Sequence, residues 1–474
     1  MALALILGPM LMALLAMLIG SERWRPWLLP ITAVAHLIAT GVTIWHPPAG
    51  ALWGWLALDA PGRIVLGVVS MLFTASSFYA VGYVRHHEGS NRLFVACMLG
   101  FLAMMSLVTW SHHLGLMWVA VEATTLVSAP LIYFNRNPLS LEATWKYLVI
   151  CSVGIALALL GSFFLAYASL HQGLPSTLLF DDLAASAGKL NKAWLHAAFV
   201  LLVVGYGTKM GLAPMHTWLP DAHSEAPTPV SALLSGALLP CAFLAILRVY
   251  ALCVGAGEGA FARRILLILG LLSMAFAAVF LLHQADFKRM LAYSSVEHMG
   301  ILAFGIGLGG DGAFGSMLHI VNHGLTKCLL FLAAGNLLAA YGSKRAGEVS
   351  GAMRRVPLSA TLFMLGFVAI TGSPPFGPFF SEFTIASAAF GGSHLIAGSL
   401  FLLLLVAVFI GMGRTVLTVV QGKPSTVGSE LHFREGILMG VPLVALCCAV
   451  LMLGLYVPRP LADLLHEAVR FLEA

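Results

Sequence analysis

Long apolar stretches, separated by short polar segments, repeat along almost the whole chain. An α-helix needs about 20 predominantly apolar residues to cross the hydrocarbon core of a bilayer. Such runs lie at 2–20, 27–45, 63–84, 93–109, 112–133, 144–169, 195–217, 228–255, 263–283, 290–309, 313–341, 358–385, 394–420 and 434–457. The pattern predicts an all-α integral membrane protein of about fourteen transmembrane helices.

Two of these runs contain helix-breaking residues. The seventh run has Gly211 and Pro214, and the twelfth has Gly372, Pro375 and Pro378. Lipid cannot satisfy the backbone groups that a break frees, so broken helices belong inside the protein, along water or an ion path. Paired broken helices are typical of inverted repeats in transporters. We therefore predict two inverted five-helix repeats with broken helices 7 and 12.

This pairing of breaks divides the chain into four segments. Helices 1–3 occupy 1–92, the first repeat (helices 4–8) 93–255, the second repeat (helices 9–13) 256–420, and helix 14 with the C-terminal tail 421–474. The same pairing matches Lys146 of the sixth run with Lys327 of the eleventh. Lys209 and Glu382, which lie close to the two breaks, form a second match.

Composition supports a membrane location and argues against several functions. Of 474 residues, 60% are hydrophobic and only 9% are charged, whereas about 25% are charged in soluble proteins. The net charge of +5 gives no reason to expect nucleic acid as a partner. The seven cysteines lie in apolar runs without a CxxC pair, which favours packing over metal binding. We expect no cofactor and read the first run as a retained helix.

The distribution of lysine and arginine predicts the orientation. Fifteen of the 25 lie in odd-numbered loops or nearby helix ends, and eight lie in even-numbered loops or the C-terminal tail. Short loops rich in Lys and Arg stay on the cytoplasmic side. We therefore expect a multi-pass protein of the cell inner (plasma) membrane with both termini on the outer side.

Several charges fall within the apolar runs. Glu122, Lys209, Lys327 and Glu382 lie inside runs, where a charge costs about 2.5–3.5 kcal/mol. Such residues are typical of ion or proton paths. Lys146 and Arg248 lie closer to the ends of their runs, and for them a structural ion pair or a snorkelling side chain is a serious alternative.

The eleventh run carries a row of basic side chains. His319, His323 and Lys327 follow at intervals of four residues, so they share one helix face over roughly 12 Å. Imidazole titrates near neutral pH, which suits stepwise proton transfer. His298 in the tenth run could extend the row. A metal site is the alternative, but no third ligand lies nearby in sequence, and we predict a proton path without metal.

These segments carry a family resemblance over essentially the whole chain. The matching stretches are KMGLAPMHTWLPDAHSEAPTPVSALLSG (209–236), DFKRMLAYSSVEHMGIL (286–302), HIVNHGLTKCLLFLAAG (319–335) and GSPPFGPFFSEF (372–383). They resemble the antiporter-like proton-translocating membrane subunits of complex I, Mrp antiporters and group 4 membrane-bound hydrogenases. The sequence looks most similar to the hydrogenase-4 F-type members.

The resemblance implies roles for individual residues. Glu122 and Lys209 would be the coupled acid–lysine pair of the first half-channel. Lys327 would be the central lysine, with His319 and His323 as relays, and Glu382 would stand at the exit.

The eighth run departs from the family pattern. It has Ser235 and Pro240 where family members carry histidine or lysine. The sequence therefore does not define how the half-channels connect, and His216, Tyr206 or water could provide the connection.

The resemblance implies a subunit without a redox centre that is driven by a neighbouring electron-transfer module. Its expected partners are the other membrane and peripheral subunits of a hydrogenase or complex I-like assembly, protons and lipid. An Mrp-like Na⁺/H⁺ antiporter subunit, a membrane subunit for inorganic-carbon uptake and a non-conducting scaffold are the alternatives. A path dominated by Lys and His favours protons over Na⁺.

Overall fold

A computed structural model describes residues 1–85, 89–174, 176–392, 394–423, 425–428, 431 and 433–474. Within these residues the secondary structure is helical apart from isolated β-bridges. The α-helices are α1 (Ala2–Leu18), α2 (Leu28–Trp45), α3 (Ala60–Val84), α4 (Arg92–Trp110), α5 (Leu114–Ile132), α6 (Pro138–Leu170), α7 (Phe180–Ala185), α8 (Lys192–Met210), α9 (Leu219–Glu225), α10 (Thr228–Leu233), α11 (Leu239–Gly255), α12 (Gly259–Leu281), α13 (Phe287–Leu308), α14 (Asp311–Tyr341), α15 (Ala352–Arg355), α16 (Pro357–Ile370), α17 (Gly377–Gly391), α18 (Leu395–Val420), α19 (Ile437–Leu455) and α20 (Arg459–Glu473).

Twelve helical segments of the described chain are long and apolar enough to cross a membrane. Two of the fourteen predicted runs fall short of this length. The first forms α1, which has 17 residues, and 358–385 is divided between α16 with 14 residues and α17 with 15. The all-helical membrane architecture is confirmed, whereas the number fourteen stays a prediction.

The seventh run is interrupted next to Lys209. Helix α8 ends at Met210, and Gly211 follows with a φ of +85°, a conformation that favours glycine. The Thr208 carbonyl accepts a hydrogen bond from Trp218 Nε1 at 2.8 Å, and the Ala213 N–H donates to Ser273 Oγ at 2.9 Å. The interruption is thus stabilised by protein groups, as a break at membrane depth requires.

The twelfth run is interrupted between α16 and α17. Gly372 has a φ of +66°, and Asn322 Nδ2 of α14 donates to the Gly377 carbonyl at 2.8 Å. The side chain of Glu382 folds back onto the break, because a Cβ at Gly372 would lie 2.1 Å from Glu382 Oε2. The break and the carboxylate therefore share one small volume.

A third irregularity lies in the eighth run. Residues Leu234–Leu238 form a π-helical segment between α10 and α11. Pro240 follows it and has no N–H to donate to the preceding turn. The segment approaches α14 closely, since a Cβ on Gly236 would lie 2.9 Å from the carbonyl oxygen of Gly324. This contact sets the segment beside His323.

The helices differ strongly in burial. The spans at Thr228–Gly255, Phe287–Leu308 and Asp311–Tyr341 are almost entirely enclosed by protein, whereas Leu395–Val420 exposes most of its surface. The outer helices present apolar side chains outward, such as Leu403 at 63% exposure. Polar side chains on α13 and α14 are therefore shielded from lipid.

Candidate functional site

The first cluster of buried polar groups surrounds Lys209 in the last turn of α8. Its Nζ donates to Thr125 Oγ1 at 2.8 Å and to the Tyr147 hydroxyl at 2.6 Å. It also lies 4.4 Å from the centre of the Tyr147 ring. A second hydroxyl, that of Ser128, lies 2.7 Å from the Tyr147 hydroxyl. Lys209 is completely buried and holds its ammonium group with neutral hydroxyls.

Glu122 joins this cluster from the partly exposed side of α5. Ser152 Oγ donates to Glu122 Oε1 at 2.8 Å, and Thr125 Oγ1 lies 3.3 Å from Oε2 as a donor. Among the described residues no direct ion pair joins Glu122 to Lys209 within 4.0 Å. The two predicted partners are linked through Thr125, which accepts from the lysine and donates to the carboxylate.

A second cluster brings together α13, α14 and α17. The Ser381 hydroxyl lies 2.8 Å from His319 Nδ1, and His319 Nε2 lies 2.9 Å from His298 Nδ1. Glu382 Oε1 lies 3.9 Å from His298 Nδ1. The structure thus brings His298, His319 and Glu382 into one buried group, in which the two imidazoles are hydrogen-bonded and the carboxylate lies beyond hydrogen-bond distance. Together with His323 and Glu297, we call this group the histidine cluster.

His323 and Glu297 complete the histidine cluster. The ring centre of His323 lies 5.1 Å from that of His298 and 6.3 Å from that of His319. Glu297 Oε2 lies 3.8 Å from His298 Nε2. Neither ring nitrogen of His323 has a hydrogen-bond partner among the described residues. Leaving such nitrogens buried without partners costs stability, so their presence points to a function.

Lys327 is buried two turns further along α14 than His319. Its Nζ donates to the Leu291 carbonyl of α13 at 2.9 Å. A neutral carbonyl is its only hydrogen-bond partner within the described chain, so Lys327 is held without a carboxylate at bonding distance.

Two basic residues near Lys327 were not selected from the sequence. His223 is fully buried in α9 and stacks on Phe331 with ring centres 5.1 Å apart, and neither of its ring nitrogens has a hydrogen-bond partner among the described residues. Lys288 Nζ donates to the carbonyls of Ser224 and Ala226 at 3.0 and 2.7 Å. The signal for His223 was its place in the polar stretch PDAHSEAP after the first break.

Lys288 also lines a large charged cavity of about 790 Å³ that opens to the surface. Lys146, half exposed, lies in this cavity with its Nζ 2.6 Å from Glu142 Oε1 and 2.9 Å from Asp221 Oδ2. Lys344 Nζ lies 2.6 Å from Glu225 Oε1. Lys146 therefore lies outside the two buried clusters. Its ion-paired, half-exposed surroundings differ from those of Lys327, with which the predicted repeats matched it.

The structure gives His216 aromatic surroundings. Its ring centre lies 5.8 Å from Phe276 and 6.3 Å from Tyr293. The hydroxyl of Tyr206, the other candidate link, is buried without a partner among the described residues. At Ser235, where the family resemblance leads us to expect histidine, the hydroxyl lies 2.8 Å from that of Ser295. This hydroxyl pair stands beside His323, since the neighbouring Gly236 and Gly324 are in close contact.

Arg248 forms a structural ion pair, one of the alternatives that the sequence left open for this residue. It is buried, and its Nε lies 2.8 Å from Asp59 Oδ2. It also donates to the carbonyls of Ser111 and Thr109 at 2.6 and 2.7 Å, which are unpaired acceptors at the end of α4. Burial alone would raise the pKa of Asp59, but the Arg248 guanidinium lowers it below its ordinary value of 3.8.

Three residues of the histidine cluster have the chemistry of metal ligands. Ligand atoms of His298, His319 and Glu382 lie within 4.8 Å of one another. Glu382 thus provides the third ligand that was not apparent in sequence. The facing nitrogens of the two imidazoles are, however, already hydrogen-bonded to each other, so proton relay and metal binding would use the same atoms.

The helical architecture and the buried Lys, His and Glu side chains define a class: multi-pass membrane proteins with titratable groups at membrane depth. Comparison identifies the family. Residues 111–411 match the family described as NADH:quinone oxidoreductase/Mrp antiporter, transmembrane. The chain belongs to this family.

Individual relatives agree with this assignment. The chain is 34% identical over 480 residues to the hydrogenase-4 component F homolog of Methylacidiphilum infernorum, which covers 96% of each protein. Its fold is similar to a chain of the membrane-bound sulfane sulfur reductase, an archaeal respiratory membrane complex, with a TM-score of 0.88 and 22% identity over 100% of this chain and 97% of that one. The fold is also similar to a chain of the Mrp complex from Dietzia sp., with a TM-score of 0.87 and 20% identity over 100% of this chain and 97% of that one.

Proposed function

We propose that this chain is a proton-translocating, antiporter-like membrane subunit of a multi-subunit, redox-driven complex of the hydrogenase-4 or complex I-like kind. The relative named hydrogenase-4 component F homolog, similar over 96% of both chains, supports the type of complex. The observation that carries the transport function is the burial of Lys209, Lys327 and the histidine cluster, together with the link from Lys209 through Thr125 to the partly exposed Glu122.

The proposed path has two halves. In the first, protons move between Lys209 and Glu122 through Thr125. In the second, they move from the charged cavity past Lys288 and His223 to Lys327. From there they pass along the histidines of the histidine cluster to Glu382.

Coulomb interactions couple the steps of this path. Protonation of one site changes the energy of the next, because charges interact strongly across a region of low dielectric constant. Moving one proton against 100 mV requires about 2.3 kcal/mol, which modest charge movements can supply.

We further propose the finer topology. The chain crosses the inner (plasma) membrane fourteen times, with α1 and the divided α16–α17 pair as two of the crossings, and both termini lie outside. The two breaks beside Lys209 and Glu382 support two inverted repeats over 93–255 and 256–420. A cysteine appended after Ala474 should react with a membrane-impermeant thiol reagent in intact spheroplasts. Reaction only after lysis would reverse the orientation.

The test of transport uses the assembled complex in sealed vesicles. Lys327→Ala and Glu122→Ala should abolish substrate-driven proton uptake while leaving the complex assembled on a native gel. Lys423→Ala, which removes an exposed lysine, is the matched control and should pump normally. Full pumping by both Lys327→Ala and Glu122→Ala would reject the proposed path.

A second candidate is an Mrp-like Na⁺/H⁺ antiporter subunit. It is favoured by two buried oxygen atoms near the second break, Asn322 Oδ1 and Glu382 Oε1, which lack hydrogen-bond partners among the described residues. Oxygen atoms are the ligands that Na⁺ shares with other hard cations. Transport that stops without Na⁺ in the same vesicles, at constant pH, would favour this candidate over proton transport.

A further inference from the structure

A second cavity lies on the membrane-facing side of the molecule. This lateral groove has a volume of about 530 Å³ and lies between α2, α3, α14, α19 and the C-terminal helix α20. Its floor is apolar, with Met71, Val321 and Met452 among the lining residues, whereas its mouth carries Arg63, Asp463 and Glu467. The groove thus has a charged mouth and an apolar floor.

The groove extends along α3 over a distance comparable to the thickness of one lipid leaflet. Arg63 and Met71 are eight residues apart on α3, which corresponds to about 12 Å along the helix. Half of a bilayer core is about 15 Å thick. Trp45, Met71 and Met452 are 68%, 38% and 48% exposed, so the groove opens sideways along its length. An acyl chain could therefore enter from the bilayer without leaving the hydrocarbon region.

The mouth of the groove has unused hydrogen-bonding capacity. Arg63 is largely enclosed, with 12% of its side chain exposed, and its guanidinium donates to Glu467. Its Nε atom is buried without a hydrogen-bond partner among the described residues, which is costly for a charged group. Asp463 lies one turn before Glu467 on α20. One cation and two carboxylates therefore face the same opening.

We propose that the lateral groove binds one zwitterionic phospholipid with a primary ammonium headgroup, of the phosphatidylethanolamine class. The phosphate accepts hydrogen bonds from Arg63, the ammonium donates to Asp463 and Glu467, and one acyl chain fills the apolar floor. Guanidinium–phosphate and ammonium–carboxylate contacts are the strong, charge-assisted kind of hydrogen bond. A phosphatidylglycerol headgroup lacks the cation for the two carboxylates, and the quaternary ammonium of phosphatidylcholine has no N–H to donate.

The position of the groove gives this lipid a structural role. Val321 and Leu325 line the groove, and each lies two residues from His323, about 200° around α14. The acyl chain would therefore pack against the back of the helix that carries the basic row. It would close the space between α14 and α19 to water.

Native mass spectrometry of the purified complex tests this proposal. The protein is exposed to equal amounts of dioleoyl phosphatidylethanolamine, phosphatidylglycerol and phosphatidylcholine, and retained lipid is identified by mass. We expect one phosphatidylethanolamine per chain. Arg63→Gln should reduce its retention about tenfold. Ala449→Phe, which adds a ring to the groove floor without touching the mouth, should do the same. Arg264→Gln removes an exposed arginine elsewhere and should retain lipid normally.

Other outcomes overturn the assignment. Equal retention by wild type, Arg63→Gln and Ala449→Phe would mean that the lipid is merely annular. Preference for phosphatidylglycerol would contradict the headgroup assignment, and an isoprenoid mass lost on groove filling would replace phospholipid by another occupant. If Arg63→Gln fails to fold, Ala449→Phe together with Asp463→Asn decides the question.

Discussion

At the scale of single residues, neutral hydroxyls contact several of the ionisable side chains. Thr125 lies between Lys209 and Glu122, and Ser381 contacts His319. Ser235 and Ser295 face each other at the place where the family resemblance leads us to expect a titratable side chain. A hydroxyl can donate and accept at once, so it can pass a proton between charged groups without carrying a charge itself.

Thr125→Val tests the role of this hydroxyl. Valine keeps the shape of the side chain but removes the atom that links Lys209 to Glu122. Proton uptake should fall by roughly 10²-fold, the usual effect of losing a positioned proton-transfer group. Thr124→Val is the control, because the neighbouring Thr124 hydroxyl donates to the Val121 carbonyl of its own helix. Equal rates in both variants would exclude Thr125 from the path.

His223→Phe tests the route from the charged cavity. Phenylalanine preserves the stacking on Phe331 but removes both ring nitrogens, so the variant should fold normally and pump at least about tenfold more slowly. His283→Phe changes an exposed histidine and controls for the loss of an imidazole. Proton uptake at wild-type rate by His223→Phe would show that protons reach Lys327 by another route.

The sequence allowed the charged candidates to be chosen but not their neutral neighbours. Glu122, Lys209, Lys327 and Glu382 stand out because a charge in an apolar run is costly. Thr125, Tyr147 and Ser381 give no such signal, since hydroxyl side chains are common in membrane helices and can bond to their own backbone. The indirect link between Lys209 and Glu122 depends on the packing of three helices, which one sequence does not encode visibly.

At the scale of helices, irregular backbone lies beside the buried charges. Glycine and proline marked the interruptions next to Lys209 and Glu382 in the sequence. The π-helical segment at Leu234–Leu238 was not predicted, because SALLSGALL contains only one glycine and reads as a regular helix. Its cause lies in the following Pro240 and in the close contact with α14.

Gly236→Ala tests this contact between helices. The new methyl group would lie 2.6 Å from Leu72 Cδ1 and 2.9 Å from the Gly324 carbonyl oxygen. Backbone cannot move aside cheaply, so we expect a loss of about 1–3 kcal/mol in stability and a lower thermal transition in detergent. Gly347→Ala has open space around the added methyl and should leave the transition unchanged. Two identical transitions would contradict the tight packing of the π-helical segment on α14.

At the scale of the whole molecule, hydropathy predicted the class of fold well, whereas its number of about fourteen crossings stays a prediction. Short helices such as α1 and the divided α16–α17 pair fall below the length of a full span. Which helices are central could not be read from hydropathy either, because buried and lipid-facing helices are both apolar. Burial of α11, α13 and α14 follows from tertiary packing.

The ion pair between Arg248 and Asp59 connects three helices of the bundle, and Asp59→Asn should destabilise the protein by about 3–5 kcal/mol. Because the pKa of Asp59 is lowered on folding, its contribution is present above its unfolded value near 4 and is lost as the pH falls through the folded value. Thermal transitions of wild type and Asp59→Asn should therefore differ equally from pH 8 to about 5 and converge in stronger acid. A difference that grows on acidification would refute this.

The single hydroxyl between Lys209 and Glu122 has a consequence for leakage. Thr125 has one hydrogen to give, so each handover leaves that hydrogen turned toward the wrong neighbour. The hydroxyl must rotate back before the next proton transfer. Uninterrupted proton conduction across Thr125 is therefore not possible. The membrane would thus not leak protons between transfer steps, and each transfer would move one proton.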